Sequence, residues 1–184
     1  MDEHEAIRRL KAADSSGLAW LVMRYQVKAM RTAFLITRDE QLSEEVVQEV
    51  FVRLFERIRS FDERRPFEPY LMRSVVNTAL NALRAQRHDD PRSLEDLGEP
   101  LGNLLHFTTV EDEVEMNALK EQLRRAIDRL SPRQRAAVVM RYYLEMSEKE
   151  IAENLNIAPG TVKWMLNAAR QRLRRLLGGE RRSS

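Results

Sequence analysis

The sequence predicts an all-α fold of two small helical domains joined by a flexible acidic linker. Apolar residues recur at three- and four-residue spacing along most of the 184 residues, which is the period of an amphipathic helix. No segment shows the convincing period-two alternation of a β-strand, and glycine and proline cluster at 91–102. Towards the C-terminus the pattern becomes that of two short helices joined by a tight turn.

The first domain, residues 1–88, is expected to contain four helices, at about 3–14, 18–37, 43–58 and 70–86. Asp14 offers an N-cap for the second helix, and Ser43 offers one for the third. Acidic residues follow Ser43, where the helix dipole favours them. A loop with two prolines, residues 61–69, is expected before the fourth helix.

The second domain, residues 114–178, is expected to hold helices at about 114–130 and 132–144, then a helix-turn-helix with a basic extension over 170–177. Ser131 is a predicted N-cap, and Pro132 suits the first helical position because its missing N–H is not needed there. Asn156 stands where the turn needs a left-handed residue. Residues 179–184 are interpreted as a tail.

Charge is segregated along the chain although the net charge is only +2. Residues 89–116 carry one arginine against nine acidic residues, whereas residues 117–184 carry fifteen basic against seven acidic residues. The basic third predicts a polyanion as partner. The acidic segment is interpreted as a linker over 89–113.

The composition excludes several classes of function. No apolar run approaches the roughly 20 residues of a membrane span, and the acidic N-terminus lacks the apolar core of a signal peptide. The chain has no cysteine, and its three histidines lack metal-ligand spacing. We therefore expect a cytoplasmic protein with no metal, no cofactor and no catalytic chemistry of its own.

The helix-turn-helix predicts binding to duplex DNA, because this motif lays its second helix in the major groove. Ile151 and Leu155 on the first helix face an apolar stripe on the second, formed by Val162, Leu166, Ala169 and Leu173. The alternative is a generic helical hairpin, which the turn residue and the basic flank disfavour. The residues off the stripe are Gly160, Lys163, Trp164, Asn167 and Gln171.

These outward residues suggest specific DNA contacts. Lys163 suits a phosphate or a guanine edge, Asn167 suits an adenine, and the N–H groups near Thr161 suit a phosphate. Trp164 is interpreted either as a thymine-methyl contact or as a residue packed on the preceding helix or a partner protein. Further phosphate charge comes from a basic face that is otherwise simply solvated: Arg170, Arg172, Arg174 and Arg175.

Two other blocks are weak signals when each is taken alone. In residues 43–58, the apolar residues predict a buried helix face: they are Val46, Val50, Leu54 and Ile58 in one line, with Val47, Phe51 and Phe55 beside it. The remaining polar residues predict a solvated face. In residues 61–84, aromatic residues are mixed with arginines on a loop, as on surfaces that bind single-stranded nucleic acid. Core packing is the preferred interpretation for Phe67, Tyr70 and Leu71.

Taken in order, the three blocks resemble the two-domain, extracytoplasmic-function group of bacterial RNA polymerase sigma factors. Residues 45–55 read Glu-Val-Val-Gln-Glu-Val-Phe-Val-Arg-Leu-Phe, similar to the family's Asp-Leu-Val-Gln-Glu-Thr-Phe-Leu-Arg-Leu-Trp. Residues 67–77 are similar to its Phe-Arg-Ala-Trp-Leu-Tyr-Arg-Ile-Ala-Arg-Asn, and the block from Leu130 through the helix-turn-helix also matches. The resemblance covers about 15–88 and 117–177.

The resemblance implies a partner for each block. Residues that would dock on the clamp of the largest polymerase subunit are Glu45, Gln48, Glu49 and Arg53. Residues that would contact the minus-ten element are Asp62, Arg64 and Arg65 in the 59–69 loop, and Arg73, Asn77, Asn81 and Arg84 on the following helix. Residues that would contact the minus-thirty-five element are Thr161, Lys163, Trp164, Asn167, Arg170 and Arg174. The polymerase flap and an anti-sigma factor are further implied partners, and the acidic linker would run through the RNA exit path.

The sequence departs from the family pattern at a few positions. Glu68, Tyr70 and Val76 replace the usual Arg, Trp and Arg, and Trp164-Met165 replaces a common Ser-Arg. We expect these changes to reduce positive charge near the minus-ten element and to alter minus-thirty-five preference. Two alternatives to a sigma factor stay open: a stand-alone helix-turn-helix regulator, and a degenerate relative that titrates an anti-sigma factor.

Overall fold

The computed structural model describes residues 1–89 and 123–179, and throughout these ranges the secondary structure is helical, as predicted. The helices are α1 (Glu3–Lys11), α2 (Ser15–Thr37), α3 (Glu40–Arg57), a 3₁₀ turn (Ile58–Ser60), α4 (Phe67–Asp89), helical residues 123–128 as α5, α6 (Pro132–Tyr142), α7 (Glu148–Leu155) and α8 (Pro159–Gly179). The predicted linker from residue 90, the first part of the 114–130 helix and the tail from residue 180 lie outside the described residues. None of the described helices is long and apolar enough to cross a bilayer.

Aspartates begin the first three helices. The side chains of Asp2, Asp14 and Asp39 accept hydrogen bonds from backbone N–H groups in the first turns of α1, α2 and α3. The prediction that Ser43 caps α3 is wrong, because α3 begins three residues earlier at Glu40. Ser43 is fully buried, and its hydroxyl is hydrogen bonded to the Thr37 hydroxyl at 2.8 Å. The Ser43 hydroxyl therefore forms a buried hydrogen bond to Thr37 and does not cap the helix.

The loop before α4 is shorter than predicted. Residues 61–66 form the irregular segment, whereas Phe67 and the two residues after it already belong to α4. Pro69 lies in the first turn of the helix, where a proline removes no intrahelical hydrogen bond. Phe67 and Leu71 are buried, and Tyr70 packs on Phe61 with ring centroids 4.8 Å apart, so the preferred interpretation of these residues as core is confirmed.

The helix-turn-helix has the predicted geometry. Asn156 ends α7 in the left-handed region at φ 52°, and Pro159 is the first residue of α8. Ile151, Val162, Leu166 and Ala169 are buried between the two helices, as their spacing predicts. Capping boxes at Ser131 and Ser147 begin α6 and α7, in each case with a reciprocal bond from the third helical residue.

The helix-turn-helix unit, α6 to α8, packs directly on two helices of the first unit. α6 contacts α2 and α4, and α7 contacts α4, so buried residues of both units form one continuous apolar cluster. Arg135, only 8% exposed, inserts into this junction. Its Nε donates to the Ile36 carbonyl at the end of α2 (2.8 Å), and its Nη1 donates to the Leu130 carbonyl (2.9 Å). Arg38 forms an ion pair with Asp128 beside it.

Candidate polymerase and nucleic-acid interfaces

The outer face of α3 presents the polar residues that the sequence singled out. Glu45, Gln48, Glu49 and Arg53 are all exposed, while Val46, Val50 and Leu54 on the opposite side are buried. Glu49 and Arg53 are one helical turn apart and form an ion pair along the helix. The four residues therefore make one accessible surface of mixed charge that no described part of the chain covers.

An apolar groove adjoins this polar face, and the sequence reasoning missed it. Phe55, predicted to be core, is 48% exposed, and Val52 is 50% exposed. The groove has a volume of about 540 Å³ and runs between α2 and α3. Its walls are Leu18, Val22, Gln26, Met30, Glu44, Val47, Gln48, Phe51, Val52 and Phe55. The signal in the sequence was the broad apolar face of α2, which supplies Leu18, Val22 and Met30 to the groove.

The loop at residues 61–66 exposes all three of its predicted minus-ten residues. Asp62, Arg64 and Arg65 point to solvent between the buried rings of Phe61 and Phe67. The Asp62 carboxylate accepts from the Arg64 N–H at 3.1 Å, and the Asp62 carbonyl accepts from the Arg65 N–H at 3.0 Å. This local turn gives the loop a defined shape in which both guanidiniums remain available.

The exposed face of α4 continues this polar surface. Asn77, Asn81 and Arg84 are exposed, and Arg84 donates to the Asn81 side-chain oxygen at 3.3 Å. Asn77 and Asn81 also line a polar cleft of about 200 Å³ between α3 and α4, together with Arg53 and Arg57. The cleft is lined by amides, hydroxyls and guanidiniums, which are groups that can hydrogen bond to base edges and phosphates.

Arg73 differs from the other predicted minus-ten residues because its partner lies in the other unit. Its Nη2 lies 3.2 Å from the Glu150 carboxylate on α7, across the junction between the two units. Glu150 also accepts from the backbone N–H of Ser147 in the capping box, and this bond is the main cause that lowers the pKa of its carboxyl. Arg73 contributes to the same shift through its charge. The α7 helix therefore covers part of the α4 face.

The residues that depart from the family pattern on α4 have structural roles. Val76 is completely buried, so this position belongs to the core of the protein and not to its surface. Glu68 forms an ion pair with Lys28 of α2, which offsets the negative charge that it brings to this region. The Lys28–Glu68 pair has no net charge, so the expected reduction of positive charge next to the loop stays a prediction.

The α8 helix presents every predicted minus-thirty-five residue to solvent. Exposed side chains are those of Thr161, Lys163, Trp164, Asn167, Arg170 and Arg174. Trp164 is 67% exposed, so packing on the preceding helix does not account for it, whereas its neighbour Met165 is only 8% exposed and packs in the core. The Thr161 N–H donates to the Ala158 carbonyl at 2.9 Å, so this N–H already has an acceptor.

Comparison with known proteins matches both units to the same family. A model of Sigma-70 region 2 matches residues 21–88, and a model of Sigma-70 region 4 matches residues 120–173. The chain is 30% identical to the ECF RNA polymerase sigma-E factor of Haemophilus influenzae over 179 residues, with 93% of each chain covered. The chain belongs to the ECF RNA polymerase sigma factor family.

Other relatives of this sigma factor cover a similar share of the chain. It is 29% identical to SigW of Bacillus subtilis over 177 residues, covering 93% of this chain and 94% of SigW. Its fold is similar to that of CnrH, solved with the cytosolic domain of CnrY, at a TM-score of 0.62 and 21% identity, covering 96% of this chain and 97% of CnrH. RpoE of Bartonella quintana, solved with the anti-sigma factor NepR, has a TM-score of 0.67 at 18% identity, covering 87% of this chain and 96% of RpoE.

The two matched regions contain different surfaces of the protein. Region 2 contains α3, the 61–66 loop and most of α4, whereas region 4 contains α6, α7 and most of α8. The α1 helix precedes both matched segments. As a sigma factor the protein acts in transcription initiation.

Proposed function

We propose that this sigma factor binds core RNA polymerase through α3, reads and melts a promoter through the 61–66 loop and α4, and anchors the upstream end of that promoter through α8. The α3 surface carries the proposal, because its exposed charges adjoin an apolar groove large enough to accept side chains of a partner. A stand-alone helix-turn-helix regulator has no need of such a surface. The proposed site of action is the cytoplasm, where polymerase transcribes.

The division of labour between the two DNA surfaces follows from the state of the DNA that each would meet. A melted strand exposes all edges of its bases, and the loop and α4 offer guanidiniums and amides to contact them. The α8 helix suits the major groove of an intact duplex, which its exposed Lys163, Trp164 and Asn167 would enter. Melting costs stacking free energy, which the contacts to the unpaired strand must offset.

An anti-sigma factor is a further proposed partner. CnrH and RpoE, which share the fold, were each solved in complex with a protein, and NepR, the partner of RpoE, is an anti-sigma factor. The Val52 and Phe55 side chains remain exposed on this chain, and burying them would stabilise any complex that covers α3. Since polymerase is proposed to use the same helix, the two partners would compete.

Reconstitution with core polymerase tests the proposal directly. Run-off transcription from fragmented genomic DNA, followed by sequencing of the products, would show initiation at promoters that share a minus-ten and a minus-thirty-five sequence. Core polymerase without the protein is the control. Absence of any specific product would refute the sigma-factor proposal, and specific DNA binding without polymerase would favour a stand-alone regulator.

The docking surface has a separate test. Glu49→Lys and Arg53→Glu should each weaken binding to core polymerase, since each reverses one charge on the exposed face of α3. Glu153→Lys reverses an exposed charge on α7 and serves as the matched control. Unchanged affinity in both α3 variants, measured by competition for core polymerase, would refute this surface.

A further inference from the structure

The loop proposed to read the minus-ten element is held in place by a lysine of α1. Lys11 Nζ donates to the Phe61 carbonyl at 2.8 Å and to the Glu63 carboxylate at 2.7 Å. These two acceptors lie on either side of Asp62, the first of the predicted base-contacting residues. The hydrogen bond from Lys11 is also the main cause that lowers the pKa of the Glu63 carboxyl. Lys11 therefore clamps the start of the loop to α1.

The clamp is rigid because α1 is an integral part of the first helical unit. Ala6, Ile7 and Leu10 are buried against α2. The two helices approach closely at Gly17, where an added Cβ would come within 2.2 Å of the Ala6 carbonyl oxygen. Tyr25 of α2 donates a hydrogen bond to Glu3, which ties the other end of α1. Lys11 thus projects from a fixed base towards the loop.

The loop itself has few other constraints on its exposed part. Phe61 and Phe67 anchor its two ends, with their rings 5.6 Å apart in an edge-to-face arrangement. Between them the turn at Asp62 supplies local hydrogen bonds to the backbone of Arg64 and Arg65. The two buried rings fix where the loop begins and ends, and the turn fixes its local backbone shape. Lys11 adds a restraint of a different kind, because it joins two loop groups to another helix.

We propose that Lys11 is a positioning residue for minus-ten recognition, orienting the 61–66 loop so that Asp62, Arg64 and Arg65 meet an unpaired base in one geometry. This role rests on the proposed function of the loop. Two of the three N–H groups of the Lys11 ammonium are donated to the Phe61 carbonyl and to Glu63, so its main contacts are within the protein. Its side chain is 24% exposed, so the contact is more sheltered than an ordinary surface ion pair.

The recognition machinery would then extend beyond the part of the chain that the family model matches. Region 2 is matched from residue 21, whereas Lys11 lies ten residues earlier, on α1. Specificity at the minus-ten element would depend on a lysine that lies outside the loop itself, on α1.

The test compares Lys11→Met with Arg9→Met. Met keeps most of the aliphatic length of lysine but cannot donate, while Arg9 is a basic residue of the same helix whose ion pair is with Glu5. Each variant is assayed by run-off transcription with core polymerase on four templates that differ only at the captured minus-ten base. We expect the ratio of best to worst template to fall by about fivefold or more in Lys11→Met, in the range of a single lost base discrimination. Arg9→Met should keep the wild-type ratio.

Two further variants separate positioning from folding. Lys11→Arg retains a donor and should recover most of the discrimination. Glu63→Gln retains an acceptor without charge and should lose part of the template discrimination. The double variant Lys11→Met/Glu63→Gln should discriminate little worse than Lys11→Met alone. Binding of core polymerase should be equal in all variants. Equal template ratios in Lys11→Met and Arg9→Met would overturn the positioning role while leaving the sigma-factor proposal intact.

Amide hydrogen exchange supplies a readout that does not depend on transcription. The backbone amides of residues 62–65 should exchange faster in Lys11→Met than in Arg9→Met, with amides of α3 and α8 unchanged. Unchanged exchange in the loop would overturn the positioning role directly. If the wild-type protein directs no transcription, the proposed function fails on its own, and faster exchange would then show a structural clamp without a role in promoter recognition.

Discussion

The two surfaces proposed to meet promoter DNA differ in how open they are. On α8 the predicted contact residues are exposed, and the side-chain bond from Arg170 to Asn167 stays within the helix. On α4 the exposed Asn77, Asn81 and Arg84 stand on the same helix as Arg73, which forms an ion pair with Glu150 of the other unit. One surface is ready to bind, and the other is partly covered.

The helix-turn-helix unit therefore affects both of the surfaces proposed to bind DNA. Its α7 helix supports α8 through Ile151, and the same helix covers part of α4 through Glu150. If Arg73 contacts the minus-ten element as proposed, a DNA phosphate would compete with Glu150 for its guanidinium. On this proposal, DNA binding to the α4 surface would break the Arg73–Glu150 ion pair, whereas DNA binding to α8 would leave it in place.

The largest expected effect on stability comes from the packing of α7 against α8. Ile151→Ala removes a completely buried side chain between α7 and α8 and should lower the free energy of unfolding by about 2–5 kcal/mol. Binding to minus-thirty-five duplex should fall with it. Urea unfolding measures the first and a duplex-binding assay the second. Glu153→Ala, an exposed change on the same helix, is the control, and an equal effect of both variants would contradict the packing described.

The next effect concerns the junction between the units. Arg135→Met leaves the carbonyls of Ile36 and Leu130 without this donor and should cost about 2–4 kcal/mol, because hydrogen bonds from a charged group contribute strongly when buried. Thermal and urea unfolding measure the loss. Arg133→Met changes an exposed arginine of the same helix and should be nearly neutral. Similar stability of the two variants would show that the junction does not depend on Arg135.

A smaller effect is expected from the ion pair by which α7 covers part of α4. Glu150→Gln keeps a residue that can complete the capping box but removes the charge that faces Arg73. The loss at neutral pH should stay below about 1 kcal/mol, since solvent screens a partly exposed pair. Because Arg73 then has no partner in the protein, the variant should bind a single-stranded minus-ten oligonucleotide about two- to fivefold more tightly than wild type. This gain in affinity corresponds to the free energy of the lost Arg73–Glu150 pair. Unchanged affinity would show that Glu150 does not compete with DNA.

The pH dependence of this difference has a definite sign. Interactions in the folded protein lower the pKa of Glu150 from its ordinary 4.5, so the stability that its carboxylate contributes is complete above that value. It is lost as pH falls through the lowered pKa of the folded state. The stability difference between wild type and Glu150→Gln should therefore be constant near neutral pH and vanish in acid. A difference that persists at low pH would mean that charge is not its cause.

The smallest effect on stability is expected on α8 itself. Trp164→Ala should change the free energy of unfolding by no more than about 0.5 kcal/mol, because the side chain is mostly exposed. Minus-thirty-five preference, measured by selection from randomised duplexes, should change. Met165→Leu replaces the buried neighbour by a residue of similar volume and should keep the preference. An unchanged preference in Trp164→Ala would place that side chain outside the groove.

Much of the second unit was predictable because its determinants are local. Ser131 and Asn156 each act on a helix end within a few residues, so their roles follow from sequence spacing. The family resemblance also pointed to exposed polar residues on α3 and α8. Their exposure agrees with that expectation, while their roles in binding stay predictions.

The features that sequence reasoning missed depend on contacts between segments and not on local pattern. Ser43 looked like a cap, but its burial follows from how Thr37 and Asp39 fold back on it. Phe55 fitted the apolar pattern of α3, yet no described helix covers it. The Arg73–Glu150, Arg135–Ile36 and Lys11–Phe61 bonds join residues 50 or more positions apart, and no periodicity in the sequence encodes such pairings.

The Arg135–Ile36 bond also has a kinetic consequence, because it joins residues 99 positions apart in the chain. Helices and tight turns form in microseconds or less, whereas contacts between distant segments must first offset the entropy of closing a long loop. Docking of α6 on α2 is therefore expected to be a late event in folding, after each helical unit has formed. During synthesis the first unit can emerge and fold before its docking partner has been translated.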